Sequence, residues 1–225
     1  MPYILNIETS GKNCSVALAK GNKLIMLKEV QSEQFVHAEQ LHVLIHKTLT
    51  ESSLSPSDLN CVAVAAGPGS YTGLRIGVAS AKGLAYALEL PLIGVSSLMV
   101  LANAARKKTN SNYLVPMIDA RRMEVYTAIY DHELNEIRPA EPVIVDELFL
   151  GNYLDKEAVV FGDGAEKCLD YTGNSEYIEG VGASSQYMVE ISAEKFKRKE
   201  FVDLAYFEPD YLKEFQAGKP KNMFL

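Results

Sequence analysis

Two carboxylates, Glu8 and Asp119, each end the first strand-like segment of one half of the chain. A carboxylate at the end of a strand is a suitable ligand for a divalent cation that accompanies a phosphate. Arg121 and Arg122 follow Asp119 in a turn, where they either bind an anion or are simply solvated. These residue types are compatible with nucleotide chemistry but are not sufficient for it.

A glycine-rich segment, Gly67 to Gly73, is the second candidate, because free backbone amides at the start of a helix can bind phosphate. A Walker loop ends in Gly-Lys-Ser or Gly-Lys-Thr, whereas Leu74 and Arg75 follow here. A dinucleotide-binding loop needs a glycine where Thr72 stands. The segment is therefore predicted to be a tight turn that starts a packed helix.

The spacing of two histidines raises the question of a metal. His42 and His46 lie four residues apart, so they share one face of a helix, and two imidazoles in that arrangement can bind zinc. Catalytic zinc takes three protein ligands, and no third ligand has a matching spacing. We therefore predict a solvated histidine pair, no metal and no other cofactor.

Composition indicates the broad class. Of 225 residues, 48% are hydrophobic and 23% are charged, which is typical of a folded globular protein. No apolar run approaches the roughly 20 residues that cross a bilayer, and no signal-peptide pattern precedes the first strand, so we expect a cytoplasmic protein without membrane contact. The net charge of −7 argues against unaided binding to nucleic acid. The three cysteines form no CxxC pair and are expected to be buried thiols.

The order of elements is the main indication of the fold. Period-two alternation predicts three strands, and apolar spacing then predicts a helix from about Phe35 to Leu49. A buried strand, a helix from Thr72 to Leu88, a further strand and a short helix follow. The predicted strands of this half are Tyr3–Ile7, Cys14–Ala19, Leu24–Val30, Cys61–Ala66 and Pro91–Val95.

The same order begins again after the polar segment 107–112, where we place a domain boundary. The predicted domains are 1–108 and 109–225, and the last segment of the second is expected to pack back on the first. Its predicted elements are strands at Leu114–Asp119, Glu124–Tyr130, Ile137–Val145 and Ala158–Phe161, and a short helix from Asp146 to about Tyr153. Two β-β-β-α-β-α halves that face each other across a cleft describe the α/β fold of the actin-like ATPases, the ASKHA or RNase H-like fold.

One predicted helix carries a row of small residues at every fourth position. Such a row lets another helix or a sheet approach closely. It either packs against the chain's own sheet or forms a seam with a second chain, and we take the seam as the hypothesis. The predicted partner interface comprises His37, Leu41, Leu44, Ile45, Gly73, Leu74, Gly77, Val78, Ala81 and Ala85.

Five segments of the chain, in this order, resemble the TsaB family, also called YeaZ. They are ILNIETSGKNCSVAL (4–18), HAEQL (37–41), AGPGSYTGLRIG (66–77), DARRMEVY (119–126) and PDYL (209–212). The third segment is very specific, and the resemblance covers most of the chain. TsaB is the non-catalytic subunit of the bacterial complex that makes threonylcarbamoyladenosine in tRNA, and the resemblance implies an actin-like fold of two domains.

The resemblance also implies partners and a role. A TsaD-like catalytic subunit would transfer the threonylcarbamoyl group to the adenosine next to the anticodon, and a TsaE-like ATPase would join the complex. This chain would form a homodimer when alone and would meet tRNA only through the complex. The catalytic relative holds its metal with an HxExH-type pair, whereas Leu41 takes the place of the second histidine here. The implied role is that of a scaffold or activator, a pseudo-enzyme.

The main rival is an enzyme of the same fold, a stand-alone ATPase or phosphotransferase. Such enzymes have a glycine-containing hairpin where Arg121 and Arg122 follow Asp119, and this difference argues against the rival, as Leu41 does. A chaperone-like binding module is a third possibility, which we disfavour because no peptide-binding domain follows.

Overall fold

The computed structural model describes residues 1–32, 36–146, 158–173 and 175–213 of the chain. Two five-stranded sheets organise these residues. In each sheet three strands form an antiparallel meander, a fourth strand pairs in parallel with the first of them, and a fifth pairs in parallel with the fourth. The repeated order of strands in the sequence is therefore a repeat in space.

The first sheet consists of β1 (Tyr3–Glu8), β2 (Asn13–Lys20), β3 (Lys23–Gln31), β4 (Cys61–Gly67) and β5 (Leu92–Ser96). Their order is β3-β2-β1-β4-β5, which places β1 at the centre. Every residue of β4 is buried, as are the last five of β1, because helices cover both faces of the sheet. The continuous apolar run in β4 is typical of such a strand.

The second sheet consists of β6 (Tyr113–Asp119), β7 (Glu124–Asp131), β8 (Glu136–Ile144), β9 (Ala158–Phe161) and β10 (Glu176–Ile178). Their order is β10-β9-β6-β7-β8, so β6 holds the place that β1 holds in the first sheet. The prediction of an α/β chain with two similar halves is confirmed.

The described helices are α1 (His37–Glu51), α2 (Tyr71–Ala87), α3 (Ser97–Ala105) and α4 (Val189–Arg198). On one face of the first sheet, α1 and α2 share a core with Leu5, Ile7 and Val64. On the other face, α3 and α4 cover Ile4 and Ile93. Residues of α3 also pack on the second sheet, so this helix joins the two halves.

The last described segment belongs to the second half in sequence and packs on the first sheet in space. Met188 and Ile191 enter the core beside β1 and β5. After α4, residues 199–213 continue along the first half, and Val202 N donates to Leu92 O at 2.9 Å. We call residues 199–213 the C-terminal strap. The domain boundary near residue 108 stays a prediction.

Most element predictions agree with the structure to within two residues at each end. The helix predicted from Asp146 to about Tyr153 lies outside the described residues apart from Asp146. The sequence did not predict α4 or the three-residue strand β10. The three cysteines are buried and free, as predicted, and burial raises the pKa of the Cys61 thiol to about 12. Within the described ranges, no helix has both the length and the apolar character of a membrane span.

Candidate functional site

Glu8 ends β1 inside the protein. Its side chain is fully buried, and Oε1 accepts a hydrogen bond from the backbone N of Ser10 at 2.5 Å. Oε2 has no hydrogen-bond partner among the described residues. Burial raises the pKa of Glu8 from 4.5 to about 6, although hydrogen bonds from Ser10 act in the opposite direction. Because solvent does not reach this carboxylate, it is poorly placed to hold a metal–nucleotide in the cleft.

Asp119 has the equivalent position at the end of β6, but it is exposed and has a cation of its own chain beside it. The ammonium of Lys167 forms an ion pair with Asp119 and donates to the carbonyl oxygens of Arg122 at 2.7 Å and Glu124 at 2.8 Å. The backbone N of Arg121 donates to Asp119 Oδ1 at 2.9 Å. The chain's own lysine therefore already neutralises this carboxylate.

A cleft of about 540 Å³ lies between the two halves. Within the described ranges, its lining includes one ammonium and four carboxylates, those of Lys12, Glu29, Asp163, Glu166 and Glu179. Asp163 accepts a hydrogen bond from the backbone N of Asp119 at 3.0 Å, and desolvation raises its pKa. A nucleotide triphosphate carries several negative charges, so these walls repel it in the absence of accompanying cations.

The glycine-rich segment packs against the chain itself. The backbone N of Ser70 donates to Ser10 O at 2.7 Å, and Ser70 Oγ caps α2 by accepting from Gly73 N at 3.2 Å. A Cβ atom at Gly69 would overlap the backbone of Ser10. These contacts agree with a tight turn that starts a packed helix.

The HAEQL segment begins α1. His37 is fully buried, and its Nε2 lies 2.8 Å from Gly11 O, so this histidine joins α1 to the loop after β1. Leu41 is fully buried in the core beneath the helix. His42 is exposed, and its Nε2 lies 3.2 Å from Ser80 Oγ of α2. In the described part of the chain, no three His, Cys, Asp or Glu side chains are grouped so that they could hold a metal ion.

The residues of the predicted partner interface are all buried within the chain. The Thr9 hydroxyl donates to Gly73 O at 2.8 Å, and Cβ atoms at Gly73 and Gly77 would overlap Thr9. Of the two interpretations of the small-residue row, the geometry is that of a row packed on the chain's own sheet. In this conformation a second chain does not reach His37, Leu41, Leu44, Ile45, Gly73, Leu74, Gly77, Val78, Ala81 or Ala85.

The opposite faces of α1 and α2 are open to solvent. On α2, Ala79, Gly83 and Ala87 form a second row of small residues at four-residue spacing, next to Tyr86, which is 79% exposed. Within the described part of the chain, a Cβ atom at Gly83 would meet nothing within 4 Å. The exposed face of α1 includes His42, Val43 and His46. We call these two exposed faces together the helix-pair face.

The sequence predicted only that the last segment packs back on the first half, and it did not predict the contacts that the C-terminal strap makes. Lys82 of α2 donates to the carbonyl oxygen of Phe207 at 2.8 Å, and Asp210 N donates to Ala66 O at 2.7 Å. The strap therefore ties the end of the described chain to α2 and to the glycine-rich segment. The PDYL segment lies in the strap, and its resemblance to the family was the available signal.

The end of the strap also reaches the second half. Arg75 Nε donates to the hydroxyl of Tyr211 at 3.1 Å, and the Arg75 guanidinium lies 4.3 Å from the centre of the Tyr71 ring. Two residues later, Lys213 forms an ion pair with Glu124 of β7. The strap thus connects the start of α2 with the turn that follows Asp119.

Comparisons with known proteins bear on this site. The sequence model of the TsaD family, tRNA N6-adenosine threonylcarbamoyltransferase, matches residues 27–149. The chain is 34% identical to the tRNA threonylcarbamoyladenosine biosynthesis protein TsaB of Escherichia coli (strain K12), with 96% of each chain covered. It is 32% identical to the protein of the same name from Bacillus subtilis (strain 168), with 95% of each chain covered.

Among solved structures, YeaZ from Pseudomonas aeruginosa has a TM-score of 0.84 at 24% identity, covering 94% of this chain and all of the other. The ethanolamine utilization protein EutJ from Carboxydothermus hydrogenoformans has a TM-score of 0.50 at 11% identity, over 85% of this chain and 90% of the other. These likenesses show the fold alone, and they confirm the predicted actin-like fold. Because the identity to the TsaB proteins extends over almost the whole chain, the protein belongs to the TsaB family of tRNA threonylcarbamoyladenosine biosynthesis.

Proposed function

We propose that this chain is the non-catalytic scaffold of the complex that forms threonylcarbamoyladenosine in tRNA in the cytoplasm. It binds a TsaD-like catalytic subunit, and a TsaE-like ATPase joins the two. The observation that carries the proposal is Leu41, fully buried in the core at the position where the catalytic relative has the second histidine of its metal-binding pair. A leucine offers no ligand atom, so this position serves folding and not metal binding.

The two strand ends at the cleft support the same role. Glu8 is sealed from solvent, and Asp119 is engaged by Lys167. A stand-alone ATPase or phosphotransferase of this fold would need a free carboxylate to hold the metal that accompanies its nucleotide. The carboxylates on the cleft walls would also repel the phosphates of a nucleotide.

The helix-pair face is the proposed partner surface, in place of the buried row. Two helices from each chain make a four-helix contact, and the exposed row of Ala79, Gly83 and Ala87 permits a short spacing between helices. The TsaD family model matches residues 27–149, which contain both helices, so a TsaD-like subunit presents a similar pair. One face then serves both the heterodimer and a homodimer, and the two pairings compete.

Reconstitution tests the role. Modified adenosine is measured in tRNA that has been incubated with TsaD-like and TsaE-like proteins of the same organism, with and without this chain. We expect the modification to require the chain, and we expect the chain alone to turn over no more ATP than a heat-inactivated sample. If the chain alone hydrolyses ATP and has no effect on the other subunits, the rival enzyme class is correct.

A single substitution tests the surface. Gly83→Arg places a long charged side chain in open space, so the monomer should stay folded while pairing is blocked. Melting temperature and mass by light scattering measure the two properties separately. Asn110→Arg, at an exposed loop position outside both helices, is the matched control. If Gly83→Arg still pairs with the catalytic subunit and activates it, the helix-pair face is not the interface.

A further inference from the structure

The turn between β6 and β7 has an unusual backbone. Arg121 and Arg122 are both left-handed, with φ of 71° and 52°. In the described part of the chain they are the only two consecutive non-glycine residues with positive φ. A Cβ atom fits this conformation poorly, and tight hairpin turns favour pairs such as Asn-Gly. Turn geometry alone does not explain two arginines at these positions.

The two side chains also differ from every other arginine in the chain. Both are exposed, and within the described ranges neither side chain forms a hydrogen bond, an ion pair or a ring contact. Each of the other four arginines binds a neighbouring side chain, in the pairs Arg75–Tyr211, Arg106–Glu190, Arg138–Glu141 and Arg198–Glu194. Among the described residues, the turn therefore presents two positive charges that no other side chain binds.

Polar contacts with Lys167 and Asp119 hold the backbone of this turn. Lys167 pairs with Asp119 and holds the carbonyl oxygens of Arg122 and Glu124, and Arg121 N donates to Asp119. Because Lys167 neutralises Asp119, that carboxylate does not cancel the charge of the arginines. A contact site whose backbone is already ordered loses less entropy when it binds.

The C-terminal strap connects this turn to two aromatic rings. The Lys213–Glu124 ion pair brings the end of the strap to the turn, and Tyr211 stands two residues earlier. Tyr211 is 38% exposed, and its ring centre lies 5.0 Å from that of Tyr71. Cations that follow a phosphate backbone, next to aromatic rings on which bases stack, are the usual components of a surface that binds single-stranded RNA.

We propose that Arg121 and Arg122 contact phosphates of an RNA backbone. The inference rests on the proposed function, because the RNA is the tRNA on which the complex acts. The forked donors of a guanidinium match the oxygens of a phosphate. An acidic protein surface could pair with the same charges, but RNA is favoured by the rings that the strap connects to the turn and by the family's place in tRNA modification. The net charge of −7 adds no general attraction, so the isolated chain should bind RNA weakly and only at low salt, whereas the same contact adds to the affinity of the assembled complex.

The test removes the charges and keeps the turn. In the double variant Arg121→Asn with Arg122→Gly, the new residues accept positive φ readily, so the fold should be retained. The affinity of the assembled complex for a tRNA transcript is measured from about 50 to about 200 mM salt. We expect binding about tenfold weaker at the low end, and a slope of log K against log salt that is shallower by about 1.4 to 1.8, for two lost phosphate contacts. Lys20→Ala with Lys23→Ala removes two charges from the β2–β3 turn and should leave both values unchanged.

The same variants are titrated with tRNA as isolated chains at low salt, where the double variant should again show the shallower slope. If the wild-type chain does not assemble with a TsaD-like subunit, the proposed function fails, and this second titration still measures what the two arginines contribute. A folded double variant with the affinity and slope of the wild type would overturn the RNA site. Loss of assembly in the double variant, with the isolated chain's RNA binding unchanged, would also overturn it and would assign the arginines to a protein contact.

Discussion

The ends of β1 and β6 hold equivalent positions in two sheets of the same topology, yet the two carboxylates there have opposite surroundings. Glu8 is fully buried, and one of its oxygens has no hydrogen-bond partner among the described residues, whereas Asp119 is exposed and paired with Lys167. The first strand end is joined to the core through Thr9, which touches the glycines of α2. The second is joined to its turn through polar contacts near the surface. We call the end of β1 the corner of the first half and the end of β6 the corner of the second half. A duplicated fold can thus keep its topology while its two corners acquire different roles.

This comparison predicts where stability resides. Substitutions at the corner of the first half should act through close packing and burial, and should be costly. Substitutions at the corner of the second half should act through partly exposed hydrogen bonds, and should cost less.

The largest effect is expected at Gly77, where an added Cβ would overlap the Thr9 hydroxyl. Gly77→Ala should lower the free energy of unfolding by about 1–3 kcal/mol, and Gly77→Leu should prevent folding. Gly83→Ala on the same helix is the matched control, because a Cβ there meets open space, and it should add about 0.5–1 kcal/mol. Urea unfolding of the variants measures these differences.

The opposite outcome would support the interface predicted from the sequence, in which the buried row of small residues on α2 contacts a second chain. A Gly77→Leu variant that melts like the wild type but no longer pairs with a partner would mean that the buried row faces a second chain. The packing of the first corner against α2 would then not be the source of its stability.

The next effect concerns the buried carboxylate. Between pH 4.5 and about 6 the unfolded chain releases the proton of Glu8 while the folded chain retains it, so stability should fall as pH rises through this window and stay level above it. Glu8→Gln does not titrate. Relative to the wild type it should therefore gain up to about 2 kcal/mol above pH 6 and nothing below pH 4.5.

Thermal unfolding from about pH 4 to about pH 7.5 measures the effect of Glu8→Gln. The control is Glu39→Gln, the same type of substitution at an exposed position of α1. If Glu8→Gln instead lost stability equally at all pH values, the carboxylate would stabilise the fold as a hydrogen-bond acceptor for Ser10. Burial of its charged form would then not destabilise the protein.

The sequence predicted features that depend on neighbouring residues better than features that depend on residues far apart in the chain. Strand alternation and turn residues are local, so both sheets were predictable. The row that faces the sheet was not predictable, because α2 has small residues at four-residue spacing on two faces, and only contact with Thr9 decides between them. The Lys167–Asp119 pair joins residues 48 positions apart. The strap is held by separate long-range hydrogen bonds, an ion pair and apolar contacts with the core of the first half. No periodic pattern in the sequence predicts the Lys167–Asp119 pair or the contacts of the strap.

The smallest effect should come from Lys167→Met at the second corner. This variant loses an ion pair with Asp119 and two hydrogen bonds to carbonyl oxygens, all partly exposed, so we expect a loss of about 1–1.5 kcal/mol. Lys28→Met is a close control, because the Lys28–Glu51 pair has similar exposure (29% and 49%, against 25% and 45%).

Ion pairs of this exposure contribute about 0–1 kcal/mol, and salt screens them. The difference between Lys167→Met and Lys28→Met in high salt therefore isolates the two carbonyl hydrogen bonds, and it should remain near 1 kcal/mol. Equal losses in the two variants would mean that Lys167 neutralises Asp119 without fixing the turn. The corner of the second half would then be an ordinary surface ion pair, and Arg121 and Arg122 would lack the rigid base that their proposed contact with RNA requires.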